Sequence, residues 1–100
     1  MRLYLSGPMT GHPELNFPAF HAEAARLRAA GYFVVSPAEV DQPNPDSWES
    51  CLRTDLREML TCDVVATLPG WAKSKGAQLE VSIAQAVGIP TQDASGIINA

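Results

Sequence analysis

Two acidic residues, Glu80 and Asp55, stand on predicted helix faces that are otherwise apolar, and they are the strongest candidates for chemistry in the chain. Glu80 lies within the segment KSKGAQLEVSIAQAVGIP. At about 100° of rotation per residue, it falls at the centre of the apolar face of its helix and not at the edge. The residues that surround it on this face are Gly76, Ala77, Ile83, Ala84 and Val87.

The preceding helix repeats this feature, with Asp55 inside its apolar face. That face is formed by Trp48, Leu52, Leu56 and Met59. A buried carboxylate without a partner costs several kcal/mol or takes up a proton, and the apolar faces supply no partner. Either acid alone could equally reach solvent or a backbone amide near its helix start. Both acids together, beside the ends of strands, favour a pocket.

Two carboxylates in one cleft suit the cleavage of a glycosidic bond. One attacks the anomeric carbon or stabilises the oxocarbenium-like transition state, and the other handles a proton at the leaving group. The same pair could hold Mg²⁺, which prefers oxygen ligands, but no third acid lies close in sequence to either one. The acids that remain as third ligands are Asp41, Asp46 and Asp63. We rank a metal site below glycosidic chemistry and predict no cofactor.

Other kinds of active site have weaker support. His12 and His21 are the only histidines, and a single loop histidine such as His12 is weak evidence for a ligand contact. The loop GPMTG lacks the G-K-[ST] ending of a P-loop and the G-x-G-x-x-G fingerprint of dinucleotide-binding folds. Because neither histidine is a clear candidate for a general base, nucleophilic Ser or Cys chemistry is poorly supported.

Composition limits the classes of partner. The chain has 100 residues, of which 46% are hydrophobic and 18% charged, so we predict one globular domain over residues 1–100. Its net charge of −4 argues against a surface that follows the phosphates of a nucleic acid polymer. No apolar run approaches the about 20 residues of a membrane helix. Cys51 and Cys62 lack metal or disulfide spacing and predict free thiols in the cytoplasm, with Cys62 in the core.

Apolar segments and helical patterns alternate in the order β-α-β-α-β-α-β. This order predicts an α/β fold of the Rossmann-like or flavodoxin-like type, with an open parallel sheet of about four strands and helices on both faces. Ligands of such sheets bind beyond the carboxyl ends of the strands. The loops at those ends are SGPMTGH, SPAEVDQPNPDS and PGWAKSKG.

Capping residues predict the helix boundaries. Asn16 and Ser47 are predicted to cap the first and second helices. The third helix is predicted to run from about Ala77 to Val87 and to end at Gly88, and a short fourth strand begins in the segment IPT. The last residues, QDASGIINA, have no clear pattern.

Four segments, taken in order, resemble the nucleoside 2-deoxyribosyltransferase superfamily. They are LYLSGPMTG, LRTDLREML, CDVVATLPG and SKGAQLEVSIAQAVGIP. The resemblance covers about residues 2–91 and is greatest to a group of small bacterial and phage proteins within the superfamily. Each motif is short, so the specificity comes from their order and spacing. The resemblance implies a nucleotide or nucleoside as the small-molecule substrate.

The resemblance also implies catalytic roles for three residues. Glu80, in the pattern S-x-G-x-x-x-E, matches the nucleophile that forms a covalent link to C1′ of the (deoxy)ribose. Asp55 matches the acid on the preceding helix that protonates or orients the base. Tyr4 matches a tyrosine of the first strand that lies near the nucleophile, although a core aromatic residue would explain it equally well.

Ser74 distinguishes branches of the superfamily. Six residues before the nucleophile, the transferases of free nucleosides carry Asp, whereas the hydrolases of nucleoside 5′-monophosphates carry Ser close to the phosphate. Ser74 therefore implies similarity to the nucleoside 5′-monophosphate N-glycosidases. A phosphate is also favoured at the helix start that follows, although a plain cap would explain the serine too. The other predicted substrate-binding residues are Gly7, Met9, Thr10 and Gly76.

Members of the superfamily complete their sites with C-terminal residues of a neighbouring subunit, so the resemblance implies a homo-oligomer, either a dimer or a tetramer. The candidates for this role are Ser95 and Asn99. Three functional hypotheses follow. They are hydrolysis of an N-glycosidic bond, base exchange by a 2-deoxyribosyltransferase, and nucleotide binding without turnover.

Overall fold

Four short segments pair as parallel strands in the computed structural model, which describes residues 1–98. The strands are β1 (Arg2–Ser6), β2 (Phe33–Val35), β3 (Val64–Thr67) and β4 (Thr91–Asp93). They lie in the order β2-β1-β3-β4, and every pairing is parallel. The predicted open parallel sheet is therefore confirmed.

Helices connect the strands and cover both faces of the sheet. The helices are α1 (Phe17–Ala29), α2 (Trp48–Met59) and α3 (Lys75–Ala86), and the 3₁₀ turns are Pro13–Asn16, Trp71–Lys73 and Ala94–Gly96. α1 packs on one face, and α2 and α3 pack on the other. The predicted α/β fold and its order of elements are confirmed.

The alternation of side chains along β1 separates these two layers. Leu3 and Leu5 point to the α1 layer, where they pack with Phe20 and Leu27. Tyr4 points to the opposite layer and is fully buried. The core of that second layer also contains Met59, Cys62, Val65, Val81 and Ala84. The even-numbered side chains of β1 are therefore the ones that can reach α3.

The sheet order creates a crevice between β1 and β3. β1 pairs with β2 on one side and with β3 on the other, so the chain leaves β1 in one direction and returns on its opposite side. In open parallel sheets the ligand crevice lies at this reversal, beyond the carboxyl ends of the strands. The loops that follow Ser6 and Thr67 leave the sheet at this place.

Serine side chains determine where α2 and α3 begin. Ser47 Oγ accepts a hydrogen bond from the Ser50 N–H at 3.1 Å, so the predicted cap of α2 is confirmed. α3 begins at Lys75, earlier than predicted. The reason is that Ser74 Oγ accepts the Ala77 N–H at 3.3 Å and thereby caps the helix one turn before the apolar pattern becomes visible.

Two further predictions about the helices are wrong. Asn16 does not cap α1, because its backbone is left-handed at φ 62° and its side-chain amide donates to the Pro8 carbonyl at 2.9 Å. The Asn16 side chain therefore stabilises the loop that follows β1. Val87 is 57% exposed instead of facing the core, because α3 ends at Ala86. Val81, on the opposite side of Glu80 from Val87, is buried, so Glu80 lies at the edge of the buried face of α3 and not at its centre.

The C-terminal segment, for which the sequence shows no pattern, packs against the α1 layer. Ala94 and Ile97 are buried there. The Arg26 guanidinium donates to their carbonyl oxygens, at 2.7 Å and 3.0 Å respectively. Ser95 lies beside a separate cavity of about 310 Å³, and Asn99 lies outside the described residues.

Gly7 lies where the loops after the two central strands approach closely. A Cβ atom on Gly7 would lie 2.8 Å from Cβ of the buried Leu68. We predict that Gly7→Ala lowers the free energy of unfolding by about 1–3 kcal/mol through this clash, as measured by urea denaturation. The control is Gly96→Ala, since an added Cβ there meets nothing within 4 Å. Equal losses in the two variants would contradict the explanation.

Candidate active site

A cavity of about 680 Å³ opens at the carboxyl ends of β1 and β3, between α2 and α3. This volume is within the range of about 300–1,000 Å³ that is common for small-molecule sites. Most of the residues predicted for the site line it. They are Gly7, Met9, Thr10, Asp55, Ser74, Gly76 and Glu80. Tyr4 lies behind the cavity wall and contacts Glu80.

The apolar face of α2 forms one wall of this cavity. Trp48, Cys51 and Leu52 contribute to the wall, and within α2 only Met59, at the end of the helix, is fully buried. Asp55 therefore interrupts the wall of a pocket and not a close-packed interface. This explains how an acid can stand in the apolar pattern of α2 without an ion-pair partner.

Glu80 lies at the floor of the cavity and is 6% exposed. The Tyr4 hydroxyl donates to Glu80 Oε2 at 2.6 Å, and the Ser6 hydroxyl donates to Oε1 at 2.7 Å. Both donors come from β1, and both are buried. Each carboxylate oxygen thus has one hydroxyl donor, and the plane of the carboxylate is fixed from behind.

Burial dominates the ionisation of Glu80. It raises the pKa of this carboxyl from 4.5 to about 7, since the charged form loses its hydration. The hydrogen bonds from Tyr4 and Ser6 act in the opposite direction, and the charge of Asp55 raises the pKa further. Burial, with Glu80 second, also raises the pKa of Tyr4 well above its ordinary value, so its hydroxyl remains a donor.

Asp55 has a similar but less buried environment. Burial raises its pKa from 3.8 to about 6, against the effect of one hydrogen bond. That bond comes from Gln42 in the long loop before α2, whose side-chain amide donates to Asp55 Oδ1 at 2.9 Å. The charge of Glu58 raises the pKa slightly more. Burial therefore brings the pKa values of both Glu80 and Asp55 close to neutral pH.

Sequence reasoning missed two residues that bind these acids. Ser6 could have been found, because it lies two residues after Tyr4 and a strand places such residues on the same face. Gln42 had no signal, since its loop has no periodic pattern. Its side-chain carbonyl Oε1 is buried and has no hydrogen-bond partner within the described chain. The structure thus adds Ser6 and Gln42 to the candidate site.

The rim of the cavity at the start of α3 carries positive charge. Lys73 and Lys75 flank Ser74, and all three line the cavity. The Lys75 ammonium lies 4.4 Å from the centre of the Trp48 ring, within the range of a cation–π contact. Ser74 Oγ accepts the Ala77 N–H, which leaves its hydroxyl hydrogen available to a ligand.

Of the other acids considered from the sequence, Asp46 also lines the cavity. Asp63 accepts the backbone N–H of Arg2 at 2.7 Å, at the opposite end of the sheet. Asp41 and His12 are exposed and lie off the cavity wall. Within residues 1–98, no group of three His, Cys, Asp or Glu side chains is arranged to hold a metal ion. No helix of that region is long and apolar enough to cross a membrane.

Known proteins share this architecture. A family model described as a domain of unknown function, DUF4406, matches residues 1–93. The chain belongs to the DUF4406 family. A 2-deoxyribosyltransferase from Bacillus psychrosaccharolyticus superposes with a TM-score of 0.71 at 21% identity, over 91% of this chain and 69% of that one. A 2-deoxyribosyltransferase from Leishmania mexicana gives 0.71 at 14% identity, over 92% of this chain and 62% of that one. No curated protein matches by sequence.

The superpositions establish that this DUF4406 chain has the 2-deoxyribosyltransferase fold. The resemblance found in the sequence is therefore confirmed at the level of the fold. The identities of 14–21% are too low to carry more than the fold itself. The chain spans 62% of the length of the Leishmania enzyme. What the site does has to be argued from its own residues.

The ionisation of Glu80 makes stability depend on pH. The pKa of Glu80 is about 7 in the folded chain, compared with the ordinary value of 4.5 that applies to the unfolded chain. Between these values the folded state holds a proton that the unfolded state has released. The contribution of protonated Glu80 to the free energy of unfolding is therefore full below about pH 4.5, and it is lost as the pH rises through about 7. Glu80→Gln stays neutral, so we predict that it gains roughly 2–3 kcal/mol relative to the parent between pH 5 and pH 8.

Urea denaturation of parent and variant at both pH values measures this gain. Glu49→Gln is the matched control, because it removes an exposed carboxylate from the first turn of α2. Its difference from the parent should not change between the two pH values. A constant difference between Glu80→Gln and the parent would contradict the predicted ionisation.

Proposed function

We propose that this DUF4406 chain hydrolyses the N-glycosidic bond of a (deoxy)nucleoside 5′-monophosphate, with Glu80 as the nucleophile. The observation that carries the proposal is the Glu80 carboxylate. It is buried at the floor of the cavity, each of its oxygens accepts a hydrogen bond from a hydroxyl group, and Asp55 lines the same cavity. Two carboxyl groups at one glycosidic bond are the recurring apparatus for this chemistry.

In the first step, a Glu80 oxygen forms a bond to C1′ of the sugar while the bond from C1′ to the base breaks. Tyr4 and Ser6 hold the carboxylate in place, which reduces the motion needed for attack. The electron pair of the broken bond goes to the base, and the base takes a proton from Asp55. Free base leaves, and the sugar phosphate remains as an ester of Glu80.

In the second step, water attacks C1′ and the ester bond to Glu80 breaks. Asp55, now charged, takes a proton from this water, and the Glu80 carboxylate is restored. The product is a sugar 5-phosphate. Asp55 thus returns to its protonated form, so the cycle consumes one water and leaves no net change in the chain.

The reaction starts from the state in which Glu80 is charged and Asp55 is protonated. Burial raises the pKa of Glu80 to about 7 and the pKa of Asp55 to about 6. Between these values the pair holds about one proton. The charge of one acid disfavours ionisation of the other, so the two titrate as a pair. Because the pKa of Glu80 is the higher of the two, the proton lies mainly on Glu80 in this state. The reactive form, with Glu80 charged and Asp55 protonated, is the minor arrangement of the same one-proton state, and the reaction proceeds from it.

Ser74 supports a phosphorylated substrate. By resemblance, the hydrolases of nucleoside 5′-monophosphates carry Ser at this place, and the transferases of free nucleosides carry Asp. A neutral serine between Lys73 and Lys75 repels a phosphate less than an aspartate would. The 2-deoxyribosyltransferase fold of the neighbours favours a sugar of the nucleoside type.

Incubation with a panel of ribo- and deoxyribonucleoside 5′-monophosphates, followed by chromatography for free base, tests the proposal. We predict release of base from at least one of them. Glu80→Gln should lower kcat by about 10³-fold or more, because it removes the nucleophile, and Asp55→Asn by about 10²–10⁴-fold. Glu49→Gln, on the exposed side of α2, should retain activity. The proposal of a hydrolase is contradicted if no nucleotide releases base, or if Glu80→Gln keeps full activity.

The same assay distinguishes the alternatives. If a second free base is added and becomes joined to the sugar, the chain is a transferase that exchanges bases. If nucleotides raise Tm but no product forms during long incubation, the chain is a binding module.

The pair of acids predicts a bell-shaped dependence of activity on pH. Activity should be highest between about pH 6 and pH 7, where the pair holds one proton, and should fall on both sides. In Asp55→Asn only Glu80 has to ionise, so the residual activity should rise with pH to a plateau. Profiles of kcat/KM for both chains measure this. An unchanged bell in Asp55→Asn would exclude Asp55 as the acid.

A further inference from the structure

The cavity contains two lysines, Lys73 and Lys75, that have no role in the two catalytic steps. Glu80 and Asp55 occupy the floor and one wall, whereas Lys73 and Lys75 lie at the start of α3. Asp46 lines the cavity as well. In the described part of the chain neither lysine forms an ion pair with these acids. Within residues 1–98 the ammonium groups of Lys73 and Lys75 thus have no carboxylate partner, which leaves them available to an anionic group at the rim.

Lys75 is held at a defined place on this rim. Its ammonium lies over the Trp48 ring, 4.4 Å from the ring centre. Trp48 and Lys75 are the first residues of α2 and α3, so this contact joins the two helix starts across the mouth of the cavity. Gly76 leaves room beside the ring, since an added Cβ would lie 4.0 Å from it.

The contact between Lys75 and Trp48 is weak enough to be exchanged for a ligand. Trp48 is 36% exposed, and a cation–π contact at an exposed site is weaker than a charge-assisted hydrogen bond to a phosphate. Lys75 and Glu80 are separated by about 7.5 Å along the axis of α3. This separation is on the scale of the distance from C1′ to the phosphorus of a nucleoside 5′-monophosphate, so a sugar with C1′ at Glu80 can place its phosphate at the rim.

We propose that Lys75 makes the cavity select 5′-phosphorylated nucleosides, and that its ammonium leaves the Trp48 ring to bind the phosphate. The inference rests on the proposed function for the class of ligand, but it concerns binding and not turnover. Lys75 also sets the direction of the ligand, because a phosphate held at the rim leaves the glycosidic bond at the two acids.

Binding is measured in a chain that carries Glu80→Gln, to prevent turnover, and Trp71→Phe. Because the sequence contains two tryptophans, Trp48 is then the only one. Its emission is followed during titration with deoxynucleoside 5′-monophosphates, with the matching deoxynucleosides and with inorganic phosphate. We expect monophosphates to bind more tightly than their nucleosides. We also expect inorganic phosphate to change the emission, because it draws Lys75 off the ring.

Adding Lys75→Gln should lower the affinity for the monophosphate about tenfold or more, since one charge-assisted hydrogen bond is lost. The affinity for the nucleoside should stay within about twofold, and the response to inorganic phosphate should disappear. Lys75→Arg should keep most of the preference. Arg53→Gln, which removes the same charge from the exposed face of α2, should leave the ratio of the two affinities unchanged.

Three results would overturn the inference. They are equal losses for monophosphate and nucleoside in Lys75→Gln, an equal effect of Arg53→Gln, and no binding of monophosphates. Failure of the proposed function looks different. If the Lys75-dependent preference is found but the parent chain releases no base, hydrolysis is wrong and the inference stands. If base is released but Lys75→Gln keeps the preference, the inference alone is wrong.

Discussion

The burial of the Glu80 carboxylate against Tyr4 and Ser6 is the interaction on which the site depends. Water is replaced on each oxygen by one hydroxyl group, at 2.6 Å and 2.7 Å. This substitution is incomplete, so the pKa of Glu80 rises to about 7. Because both donors are alternate residues of β1, the contact requires β1 at the centre of the sheet and α3 packed across it. The close approach of Gly7 to Leu68 keeps the loops after β1 and β3 together beside it.

The cavity exists because the apolar face of α2 is only partly covered. Trp48, Leu52 and Asp55 face the cavity, whereas on α3 Val81 and Ala84 are buried in the core against the sheet. The acids then lie at the floor and wall of a cavity with an apolar lining, and the lysines lie at its rim. Desolvation moves the pKa values of both acids toward neutrality, which is unfavourable for stability and useful for proton transfer. The strand order of the sheet explains where this cavity lies, and the side chains that line it explain what it can do.

Much of this architecture could be predicted from the sequence, since it depends on neighbours within a few residues. Alternating strands and helices imply a parallel sheet, and the serine at position 47 caps α2 as its local pattern predicts. Glu80 and Asp55 could be identified as unusual, because helical periodicity alone shows that they break an apolar face. That reasoning could not distinguish a pocket from a core. It also misjudged Val87, because the end of α3 depends on how the following turn packs.

The groups that surround the two acids are determined by tertiary packing and could not be identified from local sequence patterns. Tyr4 and Ser6 lie 76 and 74 residues from Glu80 along the chain, and no local pattern encodes contacts of that range. The amide of Gln42 reaches Asp55 from a loop without periodicity. The sequence by itself therefore determined the elements and the two misplaced charges, because periodicity and capping act within one or two helical turns. Only the folded chain decided that these charges share one cavity, because that depends on the sheet order and on the packing of α2 and α3.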